Sequence, residues 1–167
     1  MDDPCGALRG GCFCGAVRYE ADAAVDHETL CHCSICRRTS GAPMVAWFSV
    51  PRSALVFTAG TPVYFSSSDH GTRGFCSRCG TPLTFASTHL PNELDVTTCS
   101  LDAPERVPPR DHTQTSAQLP WLALGDALPR YPGYRFEGLG EAASGPSSST
   151  TPGRSADGAG PRTGGRG

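Results

Sequence analysis

Short runs of alternating or β-rich residues recur through the first part of the chain, at 16–20, 44–50, 54–58, 61–65, 81–86 and 93–99. Gly, Pro and Ser punctuate them, which is the signature of strands joined by turns. No longer window carries apolar residues at helical spacing. Residues 34–39 suit a single helical turn, and 121–128 a short helix ended by Pro129. The pattern predicts a mainly β fold, one small β-sheet domain over residues 1–137.

From residue 138 the pattern stops. Of the last thirty residues, nine are Gly, five Ser and three Pro, with no aromatic and one leucine. Such a segment buries too little apolar area to offset its ordering entropy, so 138–167 is expected to be a disordered tail. The start, MDDPCGALRGG, has no cationic region followed by an apolar run, and no stretch approaches membrane-span length. These features point to a cytoplasmic protein without a membrane partner.

Composition narrows the chemistry. Formal net charge is -2, all 14 basic residues are arginine, and no lysine is present to form a Schiff base. Slight negative charge without a basic stripe argues against nucleic acid.

Seven of the nine cysteines fall into three clusters, Cys12-x-Cys14, Cys31-x-Cys33-x-x-Cys36 and Cys76-x-x-Cys79. An odd total and a reducing compartment favour metal over disulfides. Seven is one ligand short of two closed four-thiolate sites, so one site is expected to keep a position open. On an extended segment, the side chains of a Cys-x-Cys pair share a face with backbones roughly 6.6 Å apart. Gly80 supplies the turn that aims amides at the sulfurs of Cys76 and Cys79. Closing Cys31, Cys33 and Cys36 on one ion costs least loop entropy, leaving Cys12, Cys14, Cys76 and Cys79 as a four-thiolate clip. Spacing alone leaves open a partition in which a later cysteine completes the middle cluster. Cys5 and Cys99 read as bystanders, the second as a small buried hydrophobe.

The stretches GGCFCGAVRYE, CHCSICRRTSGA, FCSRCGTPL and CSLDAPE, followed by His112 and Trp121 within DHTQTSAQLPW, resemble the glutathione-dependent formaldehyde-activating enzyme family, whose domain is shared with centromere protein V. The resemblance runs in order from about Gly10 to Gly133. It implies a β-fold with two Zn²⁺ ions, a structural one on Cys12, Cys14, Cys76 and Cys79 and a catalytic one on Cys31, Cys33 and Cys36. It also implies a carbon-sulfur lyase class of reaction that joins glutathione to formaldehyde as S-hydroxymethylglutathione, and it places His112 and Trp121 near the pocket mouth.

Chemistry fits that expectation. Three thiolates on a dication leave the site at net charge -1, a weak Lewis acid, yet one that still ionises an incoming thiol. Glutathione or another low-molecular-weight thiol, free or as its aldehyde adduct, is the expected partner. Arg37 and Arg38 follow the cluster and suit a carboxylate of such a thiol. His32, between two ligands, is the nearest acid-base candidate in sequence, although its side chain should point away from the ion. Two other readings remain: a zinc-braced scaffold module, and a thiol or metal redox sensor.

Overall fold

Strand pairing organises the chain, which is seen here in a computed structural model describing residues 6–21 and 24–134. Ten strands and one helix follow in order: β1 (Leu8–Gly11), β2 (Arg18–Ala21), β3 (Asp26–Cys31), α1 (Ser34–Ser40), β4 (Val45–Pro51), β5 (Leu55–Ala59), β6 (Val63–Ser68), β7 (Gly71–Phe75), β8 (Pro82–Ser87), β9 (Glu93–Thr97) and β10 (Asp111–Thr113). The fold is mainly β, as the patterning implies. Cys5 and the tail expected over 138–167 lie outside the described residues.

Two sheets form. The smaller has the order β1-β2-β5, and the larger the order β10-β3-β4-β9-β8-β7-β6. All pairings are antiparallel except β10 with β3. Residues directly opposite each other across strands share a face. One cross-strand row therefore runs Phe48, Val96, Thr84, Gly74, and the row beside it runs Ser49, Asp95, Phe85, Arg73, Phe65.

The first row belongs to the main core. There Leu8, Tyr19 and Ala21 of the small sheet pack with Phe48, Val50, Leu83 and Val96 of the large one. Phe48, Leu83 and Val96 are fully buried, each such side chain contributing roughly 1.5–3 kcal/mol. The Tyr19 ring meets Phe57 edge-on at 6.5 Å, and its hydroxyl lies 2.6 Å from Ser100 Oγ. The second row turns to the opposite side, where Trp47, Val45 and Phe85 pack around Cys31, Cys33 and Cys36. One sheet thus carries a stabilising core on one face and a cysteine cluster on the other.

Strands β1, β3, β7 and β10 lack a clear propensity signal. β7, GTRGF, shows why: a Cβ on Gly74 would stand 2.4 Å from Thr84 Oγ1, so close packing requires the residue that propensity disfavours.

Two local expectations are overturned. Residues 121–128 form no helix. The Leu122 carbonyl accepts from Gln118 Nε2 at 2.8 Å and the Leu128 N–H donates to Asp126 Oδ1 at 3.1 Å, so nearby side chains take backbone groups a helix would use, and the Asp126 carboxylate also meets His112 Nε2. Cys99 is exposed rather than buried. β9 ends at Thr97, and a 3₁₀ turn over Thr98–Ser100 buries Thr98 and Ser100 and swings Cys99 outward.

Candidate metal centres

Cys12 and Cys14 occupy the loop after β1, Cys76 and Cys79 the loop between β7 and β8. The two loops close alike. Cys12 N–H donates to the Val17 carbonyl and Cys76 N–H to that of Thr81, both at 3.0 Å. Cys12 through Gly15 is a turn, not the extended segment expected: the Gly15 N–H returns to the Cys12 carbonyl at 3.0 Å. The turn brings the paired sulfurs closer than a strand would. Gly80, at φ +75°, gives the second loop its reversal, as its place after Cys79 implies.

The sulfurs of Cys12, Cys14, Cys76 and Cys79 all lie within 4.8 Å of one another. Cys12 to Cys14 is 3.6 Å and Cys14 to Cys76 is 3.8 Å. A tetrahedron with zinc–sulfur bonds of about 2.3 Å has edges of about 3.8 Å, so the donor set fits a four-thiolate metal. Backbone amides aim at it: Val17 N–H reaches Cys12 Sγ at 3.2 Å, and Arg78 N–H reaches Cys76 Sγ at 3.4 Å. Thr81 ties the loops together, taking the Phe13 N–H at 3.1 Å while lying 3.1 Å from Cys79 Sγ.

Protons divide unevenly among these thiols. The Thr81 hydroxyl and amide hold Cys79 down at about 5, whereas contacts with the other thiols and burial outweigh the Ala16 amide and push Cys14 up to about 11. Crowded thiols cannot all ionise, and a dication would relieve that conflict.

Cys31 ends β3, Cys33 caps the N-terminus of α1, and Cys36 lies in its first turn. Cys33 Sγ accepts the Cys36 N–H at 3.2 Å. The three sulfurs lie within 4.8 Å of one another, and among the described residues no fourth Cys, His, Asp or Glu donor joins them. Hydrogen bonds from Cys31 and Cys36, together with amides of the helix start, hold Cys33 at about 2. Cys31 is pushed far up by its bonds to Cys33 and Cys36 and by burial. Cys36 also rises, the hydrogen bond from Cys31 being outweighed by Cys33 and burial. Three crowded thiols oppose one another's ionisation, a conflict that a bound dication would relieve. This donor set also fits a thiolate-bound cation.

Beside the trio lies a cavity of about 320 Å³ lined by Trp47, Phe65, Arg73 and Phe75, with the Thr39 and Ser40 end of α1 at one side. Arg73 Nη2 lies 3.6 Å from Cys36 Sγ. Its guanidinium covers Phe85 at 4.7 Å from the ring centroid and Trp47 at 5.8 Å.

The other sequence candidates take distinct places. Arg37 Nη1 donates to the His32 carbonyl at 2.8 Å and to the Ala117 carbonyl, bracing the cluster loop against the turn over Thr115–Ala117. Arg38 is exposed and Trp121 is 70% exposed. His112 is fully buried, away from any mouth. Its Nε2 lies 3.0 and 3.1 Å from the Asp126 carboxylate oxygens, and its Nδ1 lies 2.9 Å from His32 Nε2. With Asp126 accepting from Nε2–H, a neutral His112 accepts from His32 through Nδ1. Burial lowers the His32 pKa, and its Nδ1 has no partner among the described residues.

Sequence reasoning missed Arg73 and Asp126. Arg73 is the only charged residue between Asp69 and Arg78, a signal that acquires meaning only once strand register sets it opposite Phe85 and Phe65.

Residues 7–117 match the family described as glutathione-dependent formaldehyde-activating enzyme. A putative glutathione-dependent formaldehyde-activating enzyme of Halomonas elongata is 30% identical over 126 residues, 70% of this chain and 80% of that protein. An uncharacterized lyase of Schizosaccharomyces pombe is 34% identical over 83 residues, half of this chain and 60% of that one. A crystal structure of a Rhodobacter sphaeroides protein aligns at 27% identity with a TM-score of 0.48, covering 56% of this chain and 87% of that chain.

Proposed function

The chain belongs to the glutathione-dependent formaldehyde-activating enzyme family, and from that premise we propose that it is a zinc-dependent carbon-sulfur lyase acting on a thiol-aldehyde adduct such as S-hydroxymethylglutathione. Cys12, Cys14, Cys76 and Cys79 hold a structural Zn²⁺, and Cys31, Cys33 and Cys36 a catalytic one, giving two per chain. The observation that carries the reading is a three-sulfur cluster with no fourth protein donor among the described residues, whose neighbours Trp47 and Arg73 also line a cavity.

Zinc held by three thiolates supplies an open position at which a thiol ionises. The remaining work falls to the chain. Cys33 and Cys36 are set by the first turn of α1 and Cys31 by the end of β3, so their placement is fixed by backbone pairing. Trp47 and Phe65 line the cavity, Trp47 as a buried wall and Phe65 at its exposed side, and give the carbon next to the sulfur an apolar surface. Arg73 sets a positive charge where a thiolate or an oxygen of the adduct would lie. The His32, His112 and Asp126 chain fixes the peptide between Cys31 and Cys33 from behind. Reduced clusters of this kind suit the cytoplasm. Among the described residues no helix is long and apolar enough to cross a membrane.

The test is metal content set against turnover. Cys31→Ser and Cys36→Ser should each fall from two zinc ions to one by native mass spectrometry, keep a cooperative unfolding transition, and lose turnover of thiol-formaldehyde adducts, S-hydroxymethylglutathione and the 3-mercaptopropionate adduct being assayed side by side. Full turnover with one zinc, or collapse of the fold, would refute a catalytic cluster.

A further inference from the structure

Resting on that reading, we infer that Arg73 makes the cavity selective for short thiols that carry one anionic group near the sulfur and no amine, such as mercapto acids and their aldehyde adducts.

Arg73 is a cation held beside the cluster by a sulfur rather than by a carboxylate. Arg73 is half-buried on β7, and among the described residues no carboxylate lies within ion-pair distance of it. A guanidinium has five N–H donors. Nε donates to Ser67 Oγ at 3.2 Å and Nη2 to Cys36 Sγ at 3.6 Å, leaving donors available to a ligand. Phe85 and Trp47 hold the guanidinium plane by cation–π contact, so the fork is pre-oriented.

The cavity sets the rest of the selectivity. Its volume, about 320 Å³, lies at the small end for ligand pockets. Its lining contains one cation and no Asp or Glu, so an ammonium group would find no carboxylate and would face Arg73. Because Nη2 already reaches a cluster sulfur, a carboxylate one or two carbons from a thiol bound at the cluster falls within its reach. The two carboxylates and ammonium of glutathione have no such set of partners here. Arg37, the arginine the sequence places nearest the cluster, is occupied by the His32 and Ala117 carbonyls.

Cobalt(II)-loaded protein reports thiol binding through its sulfur-to-metal charge-transfer band, independently of turnover. Titration with 3-mercaptopropionate, 2-mercaptoethanol, cysteamine and glutathione should give tightest binding to 3-mercaptopropionate. Its margin over 2-mercaptoethanol should be roughly ten- to a hundredfold, the range for a hydrogen bond to a charged group, with cysteamine weaker still. In Arg73→Gln that margin should shrink towards one, with 3-mercaptopropionate binding falling further than 2-mercaptoethanol binding, while cobalt content holds. Arg73→Lys, which keeps the charge without the fork, should retain part of the preference and guards against a glutamine variant that fails to fold. Equal affinities in the native protein, or a preference that survives Arg73→Gln, would overturn the inference alone. Failure of every thiol to alter the cobalt spectrum would overturn the proposed function and this inference with it.

Discussion

Cys14→Ser should lower the melting temperature of the zinc-loaded protein by on the order of 10–20 °C, about twice the effect of Cys33→Ser or more, although each removes one sulfur ligand. Both changes are nearly isosteric. Cys14 is exposed, so its loss opens no cavity, and serine at position 33 still caps α1, a position it favours. What differs is the loop each ligand closes. Cys14 and Cys76 are 62 residues apart, and a cross-link spanning such a loop restricts the unfolded chain by about 4 kcal/mol. The same relation gives about 2 kcal/mol for a loop the size of the Cys31 to Cys36 cluster, and β3 and α1 already fix much of that backbone. Against a total stability of about 5–15 kcal/mol the first loss is a large fraction. Differential scanning calorimetry, paired with zinc counting by mass spectrometry, measures both quantities on one sample. If the two variants each lose one zinc and melt within a few degrees of each other, the four-cysteine cluster is not the clip that joins the β1 and β7–β8 loops.

Other consequences are separable from this one. The Asp126 carboxyl lies below its ordinary value of 3.8, chiefly through its hydrogen bond with His112. A depressed acid stabilises above the ordinary value and loses that contribution as pH falls through the folded-state one. Asp126→Asn should therefore flatten the acid limb of melting temperature against pH, and an unchanged limb would place the acid sensitivity elsewhere. Tyr19→Phe removes the 2.6 Å contact with Ser100 Oγ, and because Ser100 keeps its bond to the Thr97 carbonyl at 2.7 Å, the loss should be about 1 kcal/mol in guanidinium unfolding. Phe48→Ala should cost about 3–5 kcal/mol without changing cobalt-reported thiol affinity, since Phe48 belongs to the core on the face away from the cluster. A large affinity change would mean that the two faces are coupled.

The cysteine partition was legible because ligand number and loop closure depend on spacing, which a sequence records directly. The strands rich in β-branched and aromatic residues were legible for a similar reason: their preferences are local. β3, β7 and β10 were not, because DHETLC, GTRGF and DHT become strands through their neighbours. β10 exists as a strand by lying parallel to β3, with the segment after Pro129 on its other side. His112 N–H donates to the Pro129 carbonyl and Tyr131 N–H to that of His112, each at 2.8 Å. That same arrangement buries His112 and brings the Asp126 carboxylate to it.

The cavity's selectivity was hidden for a geometric reason. Side chains alternate faces along a strand, so function is divided by residue parity within single strands: in β4, Trp47 and Ser49 lie on the cluster side while Phe48 and Val50 enter the core. Arg73 lies 37 residues from Cys36, and what brings them together is the register β6-β7-β8-β9-β4, a chain of four pairings in which Phe65, Arg73, Phe85, Asp95 and Ser49 line up. A one-residue slip at β4–β9, β9–β8 or β8–β7 would send Arg73 to the core face, where a guanidinium has no partner. The register that buries Phe48 and Val96 is therefore the same register that presents a charge to the metal-binding sulfurs. Stability of the core fixes the placement of Arg73 without Arg73 itself contributing to that core.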